Sequence, residues 1–141
     1  MVFGLLLTVT GFAAQSVAVS PGVASADGGR NDRRTADVAF TKWATGLPVD
    51  PSTLAGVVMA GVVAGDAGTG SFVGEVLSGD TTSKPGFWLA HVRYEVHGSK
   101  HSFVADVRVT EDDTKFPITA TIRGVVTQGW LNGTRVTGQY T

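Results

Sequence analysis

His91, Arg93, Glu95 and Asp106 are the ionisable side chains whose spacing brings them together for chemistry, and Glu75 is a separate candidate. On extended backbone, residues two apart share a face. His91, Arg93 and Glu95 therefore line one side of a strand, and a hairpin turn before His101 brings Asp106 alongside them. A two-residue turn with Gly98 at its first central position sets His91 opposite Asp106 and Tyr94 opposite Phe103. A four-residue loop sets Arg93 opposite Asp106 and Val96 opposite Phe103 instead. The tighter turn is the favoured register. An imidazole oriented by a carboxylate can serve as a general acid–base pair. The plainer reading is a solvated outer face whose cross-strand ion pairs contribute about 0.2–1 kcal/mol each. It has the stronger support, because the opposite face of both strands is apolar and belongs inside.

Glu75 poses a similar choice. If Val73, Glu75 and Leu77 face inward, it is a buried carboxylate with a raised pKa and a candidate acid. If Phe72, Gly74 and Val76 face inward, it is a surface acid, and this second phase is favoured because unpaired carboxylates are rarely buried. The catalytic candidates are thus Glu75, His91 and Asp106. His97 and His101 flank a turn on opposite faces, and with no cysteine and no third ligand at suitable spacing no metal site is expected. No cofactor is expected either. Trp130, with Arg135 opposite, reads as Trp–Arg stacking ahead of a sugar platform.

The elements that position these residues are strands. Val38, Phe40 and Lys42 alternate with Ala39, Thr41 and Trp43 in a first strand ending at Pro48. The stretch "LAGVVMAGVVAGDAGTGSFVGEVL" from Leu54 to Leu77 nearly repeats Ala55-Gly56-Val57-Val58 as Ala60-Gly61-Val62-Val63. As a helix it would carry two glycines at about 1 kcal/mol each plus four valines. Gly65 to Gly70 lacks the Gly-Lys-Ser/Thr ending of a phosphate loop, so the reading is strand, tight glycine turn, strand. A shift of five puts the two copies on opposite faces, so one copy pairs and the other is a bulge or lead-in. Phe87–His97 presents Trp88, Ala90, Val92, Tyr94 and Val96 on one face, and His101–Thr110 presents Phe103, Ala105, Val107 and Val109. Ile118, Ala120 and Ile122 share a face that gives way to Val125 at Gly124, which predicts a β-bulge there. Asn132-Gly133 predicts a type I′ turn pairing Val125 with Tyr140 and Trp130 with Arg135. Seven strands in neighbour-to-neighbour order predict an all-β fold, a small antiparallel up-and-down barrel or strongly curled sheet, with a β-sandwich as the alternative.

The chain has 141 residues, net charge −1, 19 glycines and no cysteine. Its first 26 residues carry no charged side chain, and an apolar run from Val2 to Ala14 is followed by Pro21-Gly22 and Ala24-Ser25-Ala26. That is the pattern of a secretory signal peptide cleaved after Ala26. The organisation expected is a signal peptide over 1–26, a polar linker over 27–36 and an antiparallel β domain over 37–141, with the protein secreted. The apolar run is short for a membrane helix, which needs about 20 residues, so no span is expected in the mature chain. No basic face points to nucleic acid. The final strand at Gln139-Tyr140-Thr141 reads as a truncation, leaving an open sheet edge through which copies could self-associate.

Gly68–Val76, His97–Phe103 and Gly124–Trp130, continuing through Val136–Tyr140, resemble a group of small exported bacterial β-barrel proteins of unassigned function. Members of that group run on past this point, often with cysteines. More remotely, the arrangement is similar to the allene oxide cyclase and dirigent-like barrels, which hold an apolar ligand in a central cavity. That second resemblance is architectural and carries over no catalytic residue. The expectation is an exported barrel binding an apolar small molecule between its strands, with Phe40, Trp88, Tyr94, Phe103 and Val107 as its wall; the rivals are a cyclase or isomerase of the allene-oxide-cyclase kind with Glu75 or His91 supplying acid–base function, and a non-catalytic surface interaction module. The first two require a cavity of about 300 Å³ or more inside the barrel.

Overall fold

Alternation at period two runs through every element, and the computed structural model, which describes residues 15–20 and 36–141, is built from strands throughout. These are β1 (Gln15–Ser20), β2 (Ala36–Ala44), β3 (Val58–Gly65), β4 (Gly70–Asp80), β5 (Phe87–Gly98), β6 (Ser102–Asp112), β7 (Thr119–Gly129) and β8 (Arg135–Tyr140). β2 to β8 form a strongly curled antiparallel up-and-down sheet in sequence order, and β1 pairs with both β8 and β2 to close it into a barrel. No helix long and apolar enough to cross a membrane occurs among the described residues.

The apolar phase of β2 and of β4 to β8 turns inward. Val38 and Phe40, then Phe72 and Val76, then Trp88, Ala90, Val92, Tyr94 and Val96 are buried, as are Phe103, Ala105, Val107, Val109, Ala120, Ile122, Val126 and Val136. In the near-repeat the second copy pairs with the first strand, Val62 opposite Thr41 and Val63 opposite Phe40. The first copy is the lead-in. Leu54 and Gly56 take positive φ there, and the Gly56 and Val57 backbones bond across to Val76 beside a bulge in β4. The Trp88 indole N–H donates to the Thr53 carbonyl at 3.1 Å, pinning this connection to the barrel wall.

Three local expectations are corrected. Between β5 and β6 the loop is the four-residue one, so Arg93 faces Asp106 and Val96 faces Phe103. Tertiary contact decides this: the Ala67 carbonyl in the β3–β4 turn accepts both the Lys100 and His101 backbone N–H groups, at 3.0 and 3.1 Å. The bulge in β7 lies at Thr127, between the pairs Val104–Gln128 and Ala105–Val126, while Gly124 keeps the inward phase opposite Val107. Gly124 is required there for a different reason, since a Cβ would stand 2.1 Å from the Asp106 carbonyl oxygen. The β7–β8 register sets Val125 opposite Arg135 and Ala120 opposite Tyr140, five residues from the pairing expected. Trp130 continues along β6, its N–H on the Ser102 carbonyl, and so lengthens the connection around Asn132-Gly133.

β1 lies inside the segment expected to leave as a signal peptide, and it occupies the edge expected to be open. Residues 1–14 and 21–35, including the Ala26 cleavage site and almost all of the 27–36 linker, lie outside the described residues.

Gly98 tests the docked loop. An added Cβ would meet the Ala67 carbonyl oxygen at 2.0 Å, whereas at Gly46 it would meet nothing within 4 Å. Gly98→Ala is expected to lower unfolding free energy by about 1–3 kcal/mol. Gly46→Ala is expected to leave it unchanged or raise it by up to about 1 kcal/mol. Urea titration of the two variants checks both.

Candidate functional site

Strand phase sorts the candidate residues before any chemistry is considered. Glu75 is exposed on the outer face of β4, in register with Val58 on one side and Arg93 on the other. Its phase is the surface one, with Phe72 and Val76 buried on either side of it. His91 also lies outside, opposite Arg108, beside an open depression of about 380 Å³. Asp106 is paired with Arg93, Oδ1 4.0 Å from Nε, and not with His91. The favoured hairpin register would have brought His91 and Asp106 together; the docked loop separates them. Glu75 and Asp106 instead flank Arg93 in one row of the outer face, with His91 one row away opposite Arg108. His97 Nε2 sits 3.7 Å from Glu95 Oε2, and His101 stacks on Trp130 with ring centroids 4.3 Å apart.

The expected wall residues Phe40, Trp88, Tyr94, Phe103 and Val107 are all buried in the core. Their packing leaves almost no space. Phe40 stacks on Phe72 at 5.0 Å, and Tyr94 meets both rings edge-on at 5.9 and 4.9 Å. Offset and edge-to-face contacts of this kind contribute about 0.5–1.5 kcal/mol beyond area burial. The void left among Val38, Phe40, Phe72, Tyr94, Val96, Phe103, Ala105 and Val136 is about 10 Å³. That is roughly the room one water needs.

Above this aromatic plug, at the barrel end where β2, β6 and β8 finish, four ionisable side chains meet. Lys42 follows Val38 and Phe40 in phase and turns inward. Its Nζ donates to Tyr94 Oη at 3.3 Å and stands 3.8 Å from the centre of the Tyr140 ring. Tyr140 Oη in turn donates to Glu111 Oε2 at 2.8 Å. Burial pushes Lys42 down from the usual 10.5 to about 8, against the pull of the Glu111 carboxylate. Burial pushes Glu111 up, opposed by its Tyr140 hydrogen bond and Lys42 and reinforced by neighbouring Asp113. Tyr94 and Tyr140 are both held well above the ordinary phenol value, first by burial and then by Glu111. The arrangement is an amine close to losing its proton beside phenols that keep theirs.

Sequence reasoning placed Tyr94 and Lys42 on their strands but missed the cluster. The signal was the phase of Lys42, a cation at an inward position. A separate groove of about 510 Å³ lies over the outer face of β6, β7 and β8, where Thr110, Thr121 and Gln139 form a cross-strand row in the phase opposite to that of Glu111 and Tyr140.

The outer face has its own pattern. β3 reads Val58 to Gly65 without a charged or hydrogen-bonding side chain. Its outward residues sit in cross-strand rows, Trp43–Ala60–Val73 and Thr41–Val62–Ser71. Trp43 is 45% exposed, Val62 54%, Val73 38% and Leu77 43%. Comparison of the chain with protein-family models, curated proteins and solved structures finds no match.

The Lys42 environment sets a pH dependence. Unfolded lysine keeps its proton to about 10.5 while the folded side chain releases it near 8, so between these values the unfolded chain holds more protons. Stability from this group therefore rises with pH across that window. The raised tyrosines act in the opposite sense only above about pH 10, where unfolded phenols ionise. The stability of the wild type relative to Lys42→Met is expected to rise by about 1 kcal/mol or more between about pH 7.5 and 9.5. Paired denaturant titrations across that range measure it; a flat difference contradicts the assignment.

Proposed function

We propose that the protein is an exported, non-catalytic interaction module that works through its outer surface. The observation that carries this is the tight packing of the described interior residues around Phe40, Phe72 and Tyr94. A carrier for an apolar molecule, or a cyclase of the allene-oxide-cyclase or dirigent-like kind, needs a cavity of about 300 Å³ or more. The void among the described residues around Phe40, Phe72 and Tyr94 is about 10 Å³. Glu75 and His91, which the cyclase reading would use, lie on the outer face. The charge-free leader and its Ala24-Ser25-Ala26 site support export.

The surface best suited to contact is the face of β2, β3 and β4. Contiguous exposed apolar area of this kind marks interaction sites on soluble proteins. Rows of Trp43, Ala60, Val62 and Val73 offer no charge of either sign to a partner. A second copy presents the same apolar rows, bordered on β4 by Glu75, and a two-fold arrangement lets one patch serve both sides. With a net charge of −1, the chain carries little repulsion against a copy of itself. The partner proposed is that second copy.

Sedimentation equilibrium of the full chain is expected to show a concentration-dependent dimer. Val62→Glu and Trp43→Glu, which place charge in the apolar rows, are expected to abolish it. Phe116→Ser, at a fully exposed residue in the β6–β7 connection, is expected to leave it intact. A monomer at all concentrations, or a small molecule retained in the lumen by native mass spectrometry, overturns the reading.

A further inference from the structure

On the outer face of the sheet, the docked β5–β6 loop sets a register that lines up nitrogen-bearing side chains from three strands. His91 on β5 stands opposite Arg108 on β6, which stands opposite Arg123 on β7. All three are exposed. We propose that this row is a docking surface for an acidic polysaccharide, whose carboxylate or sulfate groups face Arg108 and Arg123.

The charges supply the first argument. Like charges directly opposite on neighbouring strands are destabilising, and neither Arg108 nor Arg123 has an ion-pair partner among the described residues. The adjoining row, Glu75–Arg93–Asp106–Val125–Arg135, adds two more guanidinium groups. Its two carboxylates flank Arg93, with Asp106 Oδ1 4.0 Å from Arg93 Nε. Along the exposed phase of β7, Arg123 has Thr121 and Val125 as its neighbours. A ligand that brings negative charge offsets a repulsion the fold itself leaves standing. Guanidinium groups suit this task, because their forked N–H donors match the paired oxygens of such acids.

The surface beside the row sets the rest of the ligand's chemistry. Thr110, Thr121 and Gln139 form the next row and line the groove of about 510 Å³. Thr110 also borders the depression of about 380 Å³ beside His91 and Arg108, so the two hollows meet there. Hydroxyl and amide groups alongside cations match a chain that carries hydroxyls and acids together. The carboxylates bordering these hollows are engaged locally. Asp80 accepts the Thr82 and Ser83 backbone N–H groups at 2.8 and 3.0 Å, and Asp112 pairs with Lys115 at 2.9 Å. Neighbouring strands lie about 4.8 Å apart, so the row from His91 to Arg123 covers about 10 Å of open surface. Such a surface gives a small ion no enclosure, and affinity must come from repeated contacts along a polymer. Nucleic acid fits less well, because its dense phosphates call for a wider basic footprint than a chain of net charge −1 offers.

The test is isothermal titration calorimetry of the full chain with oligogalacturonate, a heparin oligosaccharide, neutral dextran and oligothymidylate. At least one of the two acidic glycans is expected to bind, and dextran is not. Raising sodium chloride from about 0.1 to 1 M shortens the screening length from about 10 to 3 Å and is expected to weaken that binding about tenfold or more. Arg108→Gln and Arg123→Gln are each expected to weaken it about tenfold. Lys100→Gln, outside both hollows, is expected to leave it unchanged. Neither arginine variant is expected to lower the urea midpoint, since each relieves the repulsion between the pair. Silence with both acidic glycans, dextran or oligothymidylate bound as tightly as either, or indifference to both arginine variants overturns the proposal. A lowered urea midpoint in both variants also overturns it, by assigning the arginines to the fold. None of these outcomes bears on the dimer, which sedimentation tests separately.

Discussion

Three rings, Phe40 from β2, Phe72 from β4 and Tyr94 from β5, meet inside the barrel, and most of what distinguishes this molecule follows from that contact. An eight-stranded barrel has an interior just wide enough for side chains to fill. Here the three rings pack against one another and leave about 10 Å³ among the described residues around them. The same plug forms the floor on which Lys42 rests. An amine held over apolar rings loses its hydration, and this desolvation is the largest cause of its lowered affinity for a proton. Tyr94 belongs to both arrangements, its ring in the plug and its hydroxyl under Nζ. Packing and electrostatics are therefore coupled through one residue.

What the sequence made legible was local. The inward phases of β5 and β6 could be read directly, because alternation over ten residues leaves little ambiguity about which side is apolar. The favoured phase of β4, with Phe72 and Val76 inside, came from the cost of burying Glu75 and matches the fold. Registers were less legible, because they are set by groups far away. A two-residue turn at Gly98-Ser99 suits the local residues, yet the Ala67 carbonyl captures Lys100 and His101 and forces a longer loop. Likewise Asn132-Gly133 is a strong local turn signal, but Trp130 is held against His101 and Ser102 and carries the chain further before it reverses. The Lys42 cluster was hidden for the same reason. Its members come from positions 42, 94, 111 and 140, and only the closed topology brings them together.

The two barrel ends differ in how they are secured. At one, the β3–β4 turn and the β5–β6 loop are bonded to each other through Ala67 and Thr69. At the other, long connections leave Leu47 90%, Val49 87% and Phe116 fully exposed. The ionisable cluster sits at this second end.

β1 carries a consequence for the order of events during biogenesis. Its backbone occupies the seam between Ala36–Phe40 of β2 and Arg135–Gly138 of β8. A peptidase cutting after Ala26 would carry that stave away and leave both flanking strands with unpaired amides and carbonyls. Were such a cut made, sealing the seam and losing the segment would be competing fates for one stretch of chain, and whichever came first would determine whether the cylinder remained shut.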